Sequence, residues 1–248
     1  MLRSLKELNG FAMAVADGPA GVLDDVYLDD GIWAVRHLVL RLEEGLKLLI
    51  QPTLVRSIDW FGRHVRLDME RRDLAAARPA DADPPVDVLR EREAQRRFAY
   101  AASTGIPGAC HGGAPYAFPV WPLDDLEPMA EGDPHLRSVK ELIGYRARAF
   151  EGRVGRVVDF LFEERSWDVP FLGIATRRGL RSSRTAVPTR FASAIDWARR
   201  SVTVGLGRGL ILAGPDLPYL MSLESLAACR TELDAHYGFP AFGGPEGP

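Results

Sequence analysis

The chain has 248 residues, 46% of them hydrophobic and 26% charged, with a formal net charge of −3. Those proportions are ordinary for folded proteins and exclude collagen-like, coiled-coil and wholly disordered chains. Since ~100 to 200 residues commonly make one domain, one large core or two small ones are both within reach.

The opening, MLRSLKELNGFAMAV, places a glutamate where an export signal needs an apolar core, and no run of ~18 apolar residues follows anywhere. A soluble, cytoplasmic protein without a transmembrane segment is expected. Cys110 and Cys229 are the two cysteines, too few for a disulfide framework, and should be reduced thiols. Of 31 basic residues only Lys6, Lys47 and Lys140 are lysines. Codon usage explains that bias, and so does a use for the planar guanidinium fork.

The first element is a helical turn opened by a capping box, Ser4-Leu5-Lys6-Glu7, and stopped at Gly10, which takes positive φ at low cost. Short strands follow. Phe11 to Ala16 and Val22 to Leu28 flank a turn at Asp17-Gly18, and Trp33 to Leu42 reads as a strand buried on much of both faces. Pro52 suits the first position of a helical turn, after which Val65 to Met69 makes a last short strand.

The same series then recurs. Leu2, Arg3, Ser4, Lys6, Glu7, Leu8, Gly10, Gly18, Gly21, Asp25, Trp33, Val35 and Leu38 match Leu136, Arg137, Ser138, Lys140, Glu141, Leu142, Gly144, Gly152, Gly155, Asp159, Trp167, Val169 and Leu172, at a constant shift of 134. Thirteen matches in 37 positions far exceed the roughly two or three that average composition gives. Further on, Gln51-Pro52-Thr53 is set against Val187-Pro188-Thr189, and Ile58-Asp59-Trp60 against Ile195-Asp196-Trp197. The chain is two copies of one unit, the second with strands at Tyr145 to Phe150, Arg156 to Phe162, Trp167 to Thr176 and Val202 to Leu206. About six short glycine-punctuated strands in ~75 residues predict a small β-barrel, because closure removes exposed edges.

Each barrel is followed by a helix and a Gly/Pro/aromatic tail: Pro85 to Ala101 before Gly105-Ile106-Pro107, and Leu217 to Tyr237 before Gly238-Phe239-Pro240. The expected layout is mainly β: a first barrel at 1–75, a helix and irregular connector at 76–135, a second barrel at 136–214, and a C-terminal helix and tail at 215–248. Between Pro107 and Pro134 the aromatics Tyr116, Phe118 and Trp121 favour an ordered wrap, with a flexible linker as the alternative.

Leu5, Leu8, Gly10, Val15, Asp17, Gly18, Gly21, Val22, Asp25, Asp29, Trp33, Val35, His37, Leu38 and Val39 together resemble the pattern of the PRC-barrel family, named after the photosynthetic reaction centre, whose H subunit carries the module. The resemblance covers about 1–75 and 136–210. The second copy departs from it at Arg165-Ser166, where the first has a turn glycine, Gly31, and at Phe171 in place of His37. The resemblance implies a small β-barrel serving as a protein-binding or scaffolding adaptor, of the tandem free-standing bacterial kind, with no catalytic residues. A ribosome maturation factor of the small subunit is another relative that the family includes.

No phosphate-binding glycine loop, paired-cysteine motif, His-Glu-x-x-His or Gly-x-Ser-x-Gly is present, so no catalytic, cofactor or metal residues are assigned. Cys110-His111 could join His135 and His236 in a zinc site, but an incidental pair in an irregular tail explains it better. His37 and His64 read as a satisfied and a solvated histidine. Asp24, Asp25, Asp29 and Asp30 cluster without calcium-loop spacing, and Asp29-Asp30-Gly31 reads as a hairpin turn. Asp59-Trp60 and Asp196-Trp197 read as a turn aspartate with a tryptophan covering the barrel end.

Charge divides unevenly: −2 over 1–75, −5 over 76–135, +8 over 136–214 and −4 over 215–248. Within the basic unit, Arg177, Arg178, Arg181 and Arg184 are expected on a flexible hairpin with donors suited to phosphate. That surface fits RNA or an anionic membrane, or else is neutralised by the acidic segments of the same chain or a second subunit. The reading that results is a non-enzymatic adaptor binding a protein partner, with an RNA- or ribosome-associated factor as the alternative. A homodimer also accords with a duplicated barrel that has surface left to cover.

Overall fold

A computed structural model describes residues 1–86, 88–89, 133–178, 181–217 and 223–238. In the first half, β1 (Leu2–Ser4) and α1 (Leu5–Leu8) precede β2 (Ala12–Val15), β3 (Gly18–Asp29), β4 (Ala34–Arg41), β5 (Lys47–Ile50), β6 (Val55–Asp59), β7 (His64–Leu67) and β8 (Arg78–Pro79). The second half repeats them as β9 (Leu136–Ser138), α2 (Val139–Leu142), β10 (Arg146–Ala149), β11 (Gly152–Glu163), β12 (Phe171–Arg178), β13 (Arg181–Pro188), β14 (Ala192–Asp196) and β15 (Ser201–Val204). It adds α3 (Arg208–Ala213) and α4 (Leu223–Tyr237).

The fold is mainly β, in two sheets. One runs β6-β7-β2-β3-β4-β5-β8 and the other β13-β12-β11-β10-β15-β14. All neighbours are antiparallel except β2 with β7 and β10 with β15. Among the described residues no ladder joins the ends of either sheet into a ring. The chain passes from β5 to β6 through a 3-10 turn at Pro52–Leu54.

The two halves exchange their first strands. β1 pairs with the far end of β11, Leu2 opposite Glu163, while β9 pairs with the far end of β3, Leu136 opposite Asp29. Each receiving strand has twelve residues, so its first part serves β2 or β10 and its last part the visitor. Burial follows the exchange. Leu2, Leu5 and Leu8 enter one continuous core with Phe160, Phe162, Leu172 and Val187, where each leucine contributes ~1.5–3 kcal/mol. A smaller cluster of Tyr27, Val39, Leu49, Ala80 and Leu136 covers the outer side of the first sheet.

A second connection crosses at two tryptophans. Val35 N–H donates to the Trp167 carbonyl at 2.9 Å and Val169 N–H to that of Trp33 at 2.6 Å. Both tryptophans have positive φ, 53° and 63°, a conformation costing a bulky residue ~1–3 kcal/mol that the paired bonds hold in place.

Several expectations change. Ser4 and Ser138 cap their helices by accepting from Glu7 N–H and Glu141 N–H at 3.1 and 3.0 Å, but the Ser4 backbone is paired with Leu161 in a strand, and the glutamate limb of the box is absent. Instead, Glu141 accepts from Tyr145 and Arg200. The turn equivalent to Pro52–Leu54 is Thr189–Phe191, so Pro52 matches Thr189 and Pro188 is its cap, one residue away from the expected register. Leu217 is not helical, its N–H donating to the Arg184 carbonyl at 2.7 Å, and the described part of the last helix is Leu223–Tyr237. Most of Pro85 to Ala101, and the tail with Cys110, His111, Tyr116, Phe118 and Trp121, lie outside the described residues. No described helix is long and apolar enough to cross a membrane.

Candidate functional site

Alternation along strands puts every second side chain on one face, and β10 reads Arg-Ala-Arg-Ala, its arginines exposed and its alanines buried. The facing stretch of β11 exposes Arg153 and Arg156 and buries Val154 and Val157. Register sets them directly opposite: Arg146 against Arg156 and Arg148 against Arg153, with a bulge between the two pairs. Arg156 lies in turn opposite Ala175, and Ala175 opposite Arg184. Arg177, two residues beyond Ala175, shares that outward face. One solvated face thus carries Arg146, Arg148, Arg153, Arg156, Arg177 and Arg184.

Like charges directly opposite destabilise a sheet. Nothing among the described residues relieves them here: Arg146, Arg148, Arg153, Arg156 and Arg177 have no carboxylate partner there. Asp196, in register with Arg146 beyond Ser201, is held by Arg199 at 2.8 Å, and the backbone and guanidinium donors of Arg199 keep its carboxyl below the usual range.

The expected hairpin contributes to it. β12 and β13 make a regular ladder of eight pairs, ending with Arg178 opposite Arg181, and Ser183 donates to Asp216. Arg177 and Arg184 are exposed on the ladder; Arg178 and Arg181 are placed by backbone alone. The sequence-based reading took only this cluster and missed the four arginines of β10 and β11, although the period-two Arg-Ala-Arg-Ala was the available signal.

The first half shows what the same frame looks like without the charge. At the shift of 134, Arg146, Arg148, Arg153 and Arg156 correspond to Ala12, Ala14, Pro19 and Val22. Val22 faces Arg41, which faces Lys47, but there Asp24 answers both, at 3.4 and 2.8 Å, with Lys140 at 3.5 Å. Although burial opposes it, hydrogen bonding to Lys47 and the charge of Lys140 hold the Asp24 carboxyl below its ordinary range. The second half has Val158 at the position of Asp24. Beside the neutral face lies a cleft of about 390 Å³ lined by Pro19, Leu42, Leu46, Leu48 and Leu74, with Glu43, Glu44 and Arg71 among its walls. Leu46 is 50% exposed.

The aspartates named from the sequence separate. Asp25 and its counterpart Asp159 are buried at the junction, Asp25 accepting from Ser138 and the Lys140 N–H, Asp159 from Ser4 and the Lys6 N–H. Burial pushes both carboxyls upward. Asp29 Oδ1 accepts from Gly31 and Ile32 N–H in the expected turn, and its other oxygen meets Arg36 at 2.7 Å. Asp30 binds Arg137 at 2.6 Å and His135 at 2.7 Å, which raises the His135 pKa. Asp29, Asp30 and His135 lie within 4.8 Å of one another, but the two guanidiniums already neutralise the carboxylates.

Asp59 and Asp196 each accept a turn N–H, from Gly62 and Arg199 at 2.9 Å. Trp60 packs edge-on to Phe11 and under Arg3, covering one end of the core, and Trp197 is half-buried beside Tyr145. Gly10, Gly144, Gly18 and Gly152 have positive φ at turns. Gly21 and Gly155 instead permit close strand contact, since a Cβ on either would come within 2.2 Å of the Arg41 or Ala175 carbonyl oxygen.

No family model matches the chain, and no curated protein matches its sequence.

Proposed function

We propose that the protein is a non-enzymatic adaptor of the PRC-barrel kind, working in the cytoplasm, in which two barrel-type units interlocked through their first strands hold a protein partner. The single observation that supports this reading is the divergence of equivalent faces on a matched frame. Residues that build the frame are retained in both copies, whereas the outward positions of β2 and β3 against β10 and β11 change from Ala12, Ala14, Pro19 and Val22 to four arginines. Buried positions of the same strands also differ, Met13 against Ala147 and Val26 against Phe160 among them, but stay apolar, whereas these outward positions go from apolar to charged, which alters what the surface can recognise. The leucine-lined cleft beside the neutral face suits an apolar anchor from a partner, with Glu43 and Glu44 placed for a basic neighbour.

A second reading, an RNA- or ribosome-associated factor, is favoured by Arg146, Arg148, Arg153, Arg156 and Arg177, which have no carboxylate partner among the described residues and whose forks fit phosphate. Affinity capture of the full chain, with and without nuclease at two salt concentrations, tests both. Protein partners that survive nuclease and high salt, and are lost on Leu46→Asp, are the expected result. Ribosomal material lost on nuclease treatment and on reversal of Arg177 and Arg184 to glutamate would replace the first reading with the second.

A further inference from the structure

We propose that the arginine face of the second half is a docking surface for anionic phospholipid, with Phe150 as its apolar wedge. This goes beyond the adaptor reading, which concerns the first half's cleft.

Phe150 is 75% exposed. It stands at the tip of the β10–β11 hairpin, next to the row formed by Arg148 and Arg153. The same tip is joined to α3: Phe150 N–H donates to the Leu206 carbonyl, and Glu151 accepts from the Arg208 N–H at 2.7 Å. That second bond turns the carboxylate at the tip toward α3. Phe150 therefore projects beside the guanidiniums of Arg146, Arg148, Arg153, Arg156 and Arg177 on a sheet face, the arrangement of a surface that rests on headgroups while its edge enters the acyl boundary.

The charge is suited to that use. Four to eight basic residues clustered near a membrane are enough to recognise anionic lipid, and each contributes about fivefold in partitioning. Guanidinium forks engage phosphate in pairs. RNA fits less well, because sequence-tolerant binding of a single strand needs aromatic rings interleaved with the cations. The outward positions between the arginines are Ala175 and Thr203, and the one aromatic stands at the rim.

The test uses the full chain and vesicles of phosphatidylcholine, alone or mixed with phosphatidylserine, in co-sedimentation at low and moderate salt. Binding only to the phosphatidylserine vesicles is expected, weakened about twentyfold by Arg146→Ala with Arg156→Ala and several-fold by Phe150→Ser, the latter leaving the salt dependence unchanged. These side chains are exposed, and circular dichroism of each variant confirms that the fold is kept. Equal binding to both vesicle types, or no binding, overturns the proposal, as does arginine-dependent binding of a single-stranded RNA homopolymer without lipid binding. Leu46→Asp should leave lipid binding intact, so failure here is separable from failure of the adaptor reading.

Discussion

The Ser4 hydroxyl donates to Asp159 Oδ2 at 2.6 Å, across the junction between the halves, and Ser138 does the same to Asp25 at 2.5 Å. In each case the serine also caps its own short helix, and the lysine N–H two residues on binds the same carboxylate. One carboxylate thus fixes a visiting strand and the helix that follows it. The two bonds are copies, 134 residues apart in both partners.

Asp159→Ala should cost about 1–3 kcal/mol, since it leaves the buried Ser4 hydroxyl and the Lys6 N–H without their partner. Asp159→Asn, which keeps an acceptor and supplies a donor, should cost less. The folded-state pKa is raised by burial, so the stability that comes from holding the proton is fully present below the unfolded value of about 3.9 and is lost as pH rises through the folded pKa. Denaturant titrations across the acidic range should show that loss in the parent chain and a reduced one in the asparagine variant.

His37 is half-buried on the outer side of the first sheet, its Nδ1 without a hydrogen-bond partner and its Nε2 3.7 Å from Asp83. Burial pushes its pKa down, so protonation opposes folding and stability falls as pH drops below the unfolded value of about 6.5. His37→Phe, the residue its counterpart Phe171 already is, should stabilise by about 1 kcal/mol and remove that fall. Thermal unfolding at neutral and mildly acidic pH checks both.

Gly155→Ala forces a Cβ against the Ala175 carbonyl oxygen, which is part of the β11–β12 ladder and cannot move without opening it. A loss of more than 2 kcal/mol is expected, within the range of overpacked cores. Gly209→Ala in α3, where a Cβ meets nothing within 4 Å, is the matched control and should be neutral or stabilising.

Cutting the connector should not separate the halves. A protease site placed within residues 90–132, followed by cleavage and size exclusion, should give one peak holding both fragments, because β1 and β9 remain seated in each other's sheets. Two separate folded peaks would show that the exchange contributes little.

Much of the frame was legible because its signals are local. The repeat shows in a direct comparison of the chain with itself, and the glycine-stopped turns at Gly10 and Gly144 belong to neighbouring residues. Leu2–Ser4 was not read as a strand because its partner, Leu161–Glu163, is remote, and three residues leading into a capping serine look like a helix approach. The arginine face escaped for a related reason. Arg146 and Arg156 are ten apart in sequence, and only the register of a bulged hairpin makes them neighbours of each other and, through Ala175, of Arg184.

The exchanged strands also impose an order on folding. During synthesis the first sheet cannot receive its visiting strand until Ser138 has been made, and Leu2 waits longer still, for Glu163. Contacts spanning so much chain are entropically slow to form. The leucines of β1 and α1 therefore stay exposed through most of translation, which makes the opening segment the part of this chain most in need of shielding before its partner arrives.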